Sequence, residues 1–160
     1  MTFITTANPP ARGEEAAPAN DPWFPAVSPD EVREAALLDG TVTPVRLRHA
    51  LIEAMDTVNG ELAAFRAQQE AAGHASLAAI PAGQLAGRSV NVVRYHRAIN
   101  ACVQALVAEA HRDIDTTPHS DGKGDRIRER LGEKIDAHRQ AMRWAISDLL
   151  RIRRTTVELI

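Results

Sequence analysis

Residues 125–150 read DRIRERLGEKIDAHRQAMRWAISDLL. The apolar series within them, Ile127, Leu131, Ile135, His138, Met142, Ala145 or Ile146, and Leu149, recurs every three or four residues. That period places the series on one stripe of a helix, so the segment reads as helical with a single buried face. At about 1.5 Å per residue it runs roughly 39 Å, the length of a small domain, and the other segments are expected to pack along it.

Working back from this helix, residues 115–124 (DTTPHSDGKG) are turn chemistry throughout and read as a loop. Before the loop a second series, Val92, Val93, Tyr95, Ile99, Cys102, Val103, Leu106 and Val107, predicts a helix from near Ser89 to about His111. Its stripe is broad, which places it at the centre of the packing. Residues 74–88 form a connector broken by Pro81, Gly83 and Gly87, with Leu77, Ile80 and Leu85 placed to tuck it onto the bundle. Thr43-Pro44 opens a long helix carrying Leu47, Leu51, Met55, Val58, Leu62 and Phe65 and closing at Gly73, with Gly60 marking the approach of another helix. Ser28-Pro29-Asp30-Glu31 opens a short one, with Ser as N-cap and Pro at the first helical position; it ends at Asp39-Gly40.

The fold class expected is all-α: a small helical bundle of three long helices and one short helix over residues 23–152. Residues 1–22, rich in Ala, Pro, Glu, Thr and Asn, read as an arm that is disordered or ordered by a partner. Residues 153–160 read as an extended C-terminal tail.

Composition narrows the chemistry. Hydrophobic residues make up 44% of the 160 but aromatic ones only 4%, so one core must be built from Ala, Leu, Ile and Val. The single Cys102 cannot form an internal disulfide and reads as a small core hydrophobe. The six histidines show no metal-site spacing, and neither a metal nor another cofactor is expected. No apolar run approaches the roughly 18 residues of a membrane span, and the start lacks a secretory pattern, so an intracellular protein without a membrane partner is expected.

The motifs do not assemble a catalytic set. His111-Arg112-Asp113 matches a kinase tripeptide without the rest of that machinery, and Gly122-Lys123-Gly124 lacks the strand and the ending of a phosphate loop. Asp113 and Asp115 are adjacent and solvated, and His138 lies on an apolar stripe as a core residue. The chain is not read as an enzyme.

Three groups remain as candidate contact residues. Trp23 and Phe24, side by side ahead of the first helix, either cover the end of the bundle or anchor another subunit. Arg151, Arg153 and Arg154 follow the last helix, where the helix dipole favours positive charge; they suit an acidic partner or, less well, DNA phosphates. Val157, Leu159 and Ile160 belong to an alternating β-prone end with no second strand to pair with, which suits addition to another chain's sheet. Net charge is −2 overall, yet residues 1–72 carry eleven acids and five bases while residues 126–160 carry nine bases and five acids. Opposite charge at the two ends suits head-to-tail assembly of identical subunits, although a solvated surface accounts for it as well. From the residues alone, a small helical regulator or DNA-binding module stays open as an alternative.

Several stretches taken in order resemble a known family. They are Trp23-Phe24-Pro25, Thr41-Val42-Thr43-Pro44-Val45-Arg46-Leu47-Arg48-His49-Ala50, Asn59-Gly60-Glu61-Leu62, Ala71-Ala72-Gly73, Ile80-Pro81-Ala82, Tyr95-His96-Arg97-Ala98 and Met142-Arg143-Trp144-Ala145-Ile146. Together, over residues 23–160, they are similar to the head completion/stabilisation protein (GpL) family of temperate contractile-tailed phages. The resemblance implies a structural virion protein, a head-tail connector that forms a ring below the portal and closes the DNA-filled head before the tail joins. The partners implied are the portal protein, a tail terminator or next connector protein, further copies of the chain in a commonly twelvefold ring, and packaged DNA by non-specific contact. The location implied is the head-tail neck of the virion, with assembly in the host cytoplasm.

Overall fold

The computed structural model describes residues 15–38, 40–114 and 123–153, apart from the side chains of 112–114 and 123–128. Among these residues the order is α1 (Pro29–Ala35), α2 (Pro44–Glu61), α3 (Ala63–Ala71), a 3-10 turn (Leu77–Ala79), β1 (Gln84–Leu85), β2 (Arg88–Ser89), α4 (Val90–Ile114) and α5 (Lys123–Leu150). The fold is all-α, and the small hairpin is its only sheet among the described residues.

The helix starts follow the sequence. Ser28 Oγ accepts from the Glu31 N–H at 3.4 Å ahead of Pro29, and Thr43 Oγ1 accepts from the Arg46 N–H at 3.4 Å ahead of Pro44. Each hydroxyl satisfies one of the amides that a helix leaves unpaired at its start.

The long helix expected from residue 44 to 73 is instead two. The chain turns at Leu62, whose φ of −95° and ψ of 1° depart from the helical run while its side chain stays fully buried. Beyond Leu62 the sequence offers the core only the half-buried Phe65, and α3 buries no residue, so no apolar face holds it in line with α2. Gly60 does not mark a helix approach: a Cβ built there meets nothing within 4 Å. Gly73 does end α3 as expected, with a left-handed φ of 91° and the His74 N–H donating to Gln69 O at 3.0 Å.

In the connector Leu77 and Ile80 are buried, but Leu85 is 56% exposed. It lies in the hairpin, where Ala86 and Gly87 both take positive φ, 49° and 75°, as a two-residue turn between twisted strands requires.

The hub of the packing is α4, not the longer α5. Antiparallel packing of α5 on α4 brings Arg97 to Asp148 at 3.2 Å near one end and Arg139 to Glu109 near the other. Arg139 therefore bridges two helices. Antiparallel packing of α2 on the same helix brings Asn59 to Tyr95. Leu47, Leu51, Val58, Tyr95, Ile99 and Val103 are fully buried between these elements, and Ile135, Ala145, Ile146 and Leu149 close the α5 side. Each large apolar side chain buried this way contributes about 1.5–3 kcal/mol.

Residues 15–22 belong to this body and not to an arm. Glu15 pairs with Arg33 at 2.7 Å, and Asn20 and Asp21 hydrogen-bond to α2, α3 and α4. Their hold is polar, so a reading of apolar content alone leaves them out. Residues 1–14 and 154–160 lie outside the described residues.

Candidate functional site

Trp23 and Phe24 are 3% and 5% exposed and pack inside their own chain. Phe24 stacks on Tyr95 with centroids 5.2 Å apart, and Trp23 meets Phe24 edge-on at 4.9 Å. Trp23 Nε1–H donates to His74 O at 3.1 Å, and the Leu77 N–H donates to Trp23 O at 2.9 Å, which ties the connector down. The lid role is the one the geometry fits; as partner anchors these rings have no face to present. Arg66 lies about 6 Å over both rings and pairs with Asp21 at 2.7 Å. The Trp23 N–H and the Arg66 guanidinium hold the Asp21 carboxyl below the usual carboxylate range.

The reactive side chains are quiet. Burial pushes the Cys102 thiol up to about 11, with Glu53 and Glu109 adding to the effect. Burial lowers the half-buried His138, and Lys134 lowers it further. No group of three or more His, Cys, Asp or Glu suited to a metal occurs among the described residues.

Among the described residues, three grooves lie towards two opposite ends of α4. At its C-terminal half two grooves flank Val42, Val107 and His111. One, of about 370 Å³, runs between α2 and α4 past His49, Ala50 and Leu106. The other, of about 550 Å³, is bounded by Leu37, Leu38, Leu131 and His138. Arg33 donates to Val42 O at 2.9 Å and pairs with Glu15, so the described chain also begins beside these grooves. Leu37 stands at the rim, 91% exposed.

At the other end, the start of α4 meets the end of α5. Arg94, Arg151 and Arg153 line a cleft there with Asn91 and Asp148. Thus Arg151 and Arg153 come together as the sequence placed them, while Arg154, Val157, Leu159 and Ile160 lie outside the described residues.

Both ends carry the same backbone signature. Leu37 and Arg151 close α1 and α5 with left-handed φ of 51° and 57°, positions where glycine is the usual residue. Conformations that cost an L-residue about 1–2 kcal/mol concentrate where surfaces do something.

A sequence profile of the phage head completion protein (GPL) family matches residues 19–160. The chain belongs to that family. Its match to the head completion/stabilization protein of Escherichia phage P2 is 36% identical over 143 residues, 89% of this chain and 82% of the relative. No solved structure matches the chain. The GPL family is structural and not an enzyme class, and head completion makes its members virion components. No helix among the described residues is long and apolar enough to cross a membrane. The profile begins at residue 19, so the matched span takes in Asn20 and Asp21 of the polar segment and leaves out Glu15.

Sequence reasoning missed Leu37, Val42, Asn91 and Arg94. The Leu37-Leu38 pair ahead of Gly40 was one available signal, because the helix turns over at Leu37 and not at the glycine. The polar Asn91 between Val90 and Val92 was another.

Proposed function

We propose that this head completion protein acts as an adaptor ring between portal and tail, one copy beside the next, closing the DNA-filled head until the tail joins. The observation that supports the reading is the pair of unlike ends: apolar grooves with the exposed Leu37 at one, basic residues at the other. A ring grows by heterologous contacts between different patches of neighbouring subunits. Unequal charge along the chain steers such contacts and suppresses the wrong ones.

Residues 154–160 follow Arg153 at the basic end. Val157, Leu159 and Ile160 add as a strand to a portal sheet, main-chain hydrogen bonds giving affinity and alternate side chains giving register. The partners on this reading are the portal protein on one side, a tail terminator or next connector on the other, and further copies in a ring of portal symmetry, commonly twelvefold. Assembly takes place in the host cytoplasm.

The test is co-sedimentation with purified portal rings of the same phage, imaged by electron microscopy, using the full chain and a form lacking residues 155–160. A second ring stacked on the portal and lost on truncation is expected. Full-strength binding by the truncated form would remove the strand addition, and no binding by either would remove the adaptor.

A further inference from the structure

The cleft between the start of α4 and the end of α5 has a volume of about 460 Å³ and is lined by Val90, Asn91, Arg94, Arg151, Ile152 and Arg153. Asp148 lines the cleft as well and is paired with Arg97 at 3.2 Å. Three arginines against this one carboxylate leave the lining net positive.

Asn91 is the decisive residue. It is 3% exposed and lines the cleft, and its side chain makes no hydrogen bond within the described residues while its amide stays open to the cleft. An amide held in place by its buried residue and open to the cleft is a ready partner for a group that enters it. The backbone adds donors at the same place. The Val90 N–H is taken by Gly83 O at 2.9 Å, but helix geometry leaves the next N–H groups, of Asn91 and Val92, without an intrahelical acceptor. Ser89 does not cap them, since its buried Oγ has no partner. The 25-residue α4 directs the positive end of its dipole here. Fixed donors, guanidinium groups and a helix start make an anion site whose best-fitting ligand is phosphate.

We propose that this cleft binds a phosphate group, with a backbone phosphate of DNA as its source: the Asn91 amide and the first turn of α4 donate to the phosphate oxygens, while Arg94, Arg151 and Arg153 neutralise them. Val90 and Ile152 supply apolar walls against which the flanking sugars lie. The site needs only one copy of the chain and stands whether or not copies form a ring.

Two titrations of the full-length protein test it: inorganic phosphate followed by NMR at the Asn91 side-chain amide, and a short DNA duplex followed by fluorescence anisotropy over a range of salt. The wild type should show both responses. Replacing Arg94, Arg151 and Arg153 together by Gln should weaken DNA binding at least roughly tenfold near 50 mM salt and flatten the slope of log affinity against log salt by about two to three. N91A should weaken binding with the slope unchanged, because the amide carries no charge. The pair R130Q/R143Q removes exposed charge from α5 outside the cleft and should retain the tight binding. A phosphate response without DNA binding would assign the cleft to a small phosphate. No response to either probe, or equal losses in the R130Q/R143Q control, would overturn the site; thermal midpoints keep misfolding apart from loss of ligand.

Discussion

The Tyr95 hydroxyl donates to Asn59 Oδ1 at 2.8 Å, and Asn20 completes a closed ring with the pair. Asn20 Nδ2 donates to the Tyr95 oxygen at 2.9 Å, and Asn59 Nδ2 donates to Asn20 Oδ1 at 3.0 Å. Three segments far apart in sequence, the one before α1, the end of α2 and the start of α4, are joined at this point beneath the aromatic lid. Burial pushes Tyr95 up to about 12, so the phenol stays protonated and remains a donor over the whole physiological range.

Tyr95→Phe keeps the stack on Phe24 and removes only the hydroxyl, leaving Asn59 Oδ1 without its donor. The expected loss is about 1–3 kcal/mol of unfolding free energy, the cost of an unpaired buried acceptor. Urea denaturation should show an earlier midpoint with an unchanged slope, since the surface exposed on unfolding is the same. A midpoint equal to the wild type would mean that the ring of hydrogen bonds adds nothing to stability.

Asp21 makes the lid sensitive to acid. Its carboxyl is held below its ordinary value of 3.8, first by the Trp23 N–H and then by Arg66. A depressed folded-state value contributes stability that is present above the unfolded pKa and is lost as pH falls through the folded one. Denaturation midpoints should therefore drop as pH falls below about 4, and Asp21→Asn should flatten that fall while lowering stability near neutrality. The pair is a third exposed, so solvent screens it and the neutral-pH effect should be small. Parallel acid profiles for the two proteins would contradict this assignment.

The helices were legible because their signals are local. Ser28 and Thr43 as caps, the apolar stripes of α4 and α5, and the stop at Gly73 are each fixed by a few neighbouring residues. The break at Leu62 was not, because Leu62 continues the apolar period and only the loss of an apolar face further on turns the chain. The centre of packing was legible in the broad stripe of α4, which meets both α2 and α5, although α5, with the longest stripe, was expected to organise the other segments. Asn20 and Asp21 were hidden, since their partners Tyr95, Asn59 and Arg66 lie up to 75 residues away. Arg151 and Arg153 were legible as a basic group, but the cleft became visible only when Asn91 and Arg94 arrived from the antiparallel helix.

Leu37 offers the sharpest test of the ring. It closes α1 in a Schellman motif: the Leu38 N–H donates to Arg33 O at 3.0 Å and the Leu37 N–H to Glu34 O at 3.3 Å, with Leu37 itself at φ 51°. A glycine fits this position without the roughly 1–2 kcal/mol that a left-handed L-residue costs, although its larger unfolded-state entropy, about 0.5–1 kcal/mol, offsets part of the gain. A leucine 91% exposed here is therefore unfavourable for the isolated chain on two counts, backbone strain and solvated apolar surface. Contact with a neighbouring subunit would reverse the second. Leu37→Gly should leave the free protein as stable as the wild type, or up to about 1 kcal/mol more so, in urea denaturation. The same variant should form fewer rings on portal assemblies, because the side chain at the groove rim is gone. Rings formed at full strength by a protein carrying Leu37→Gly would show that this end of the bundle is not where copies meet.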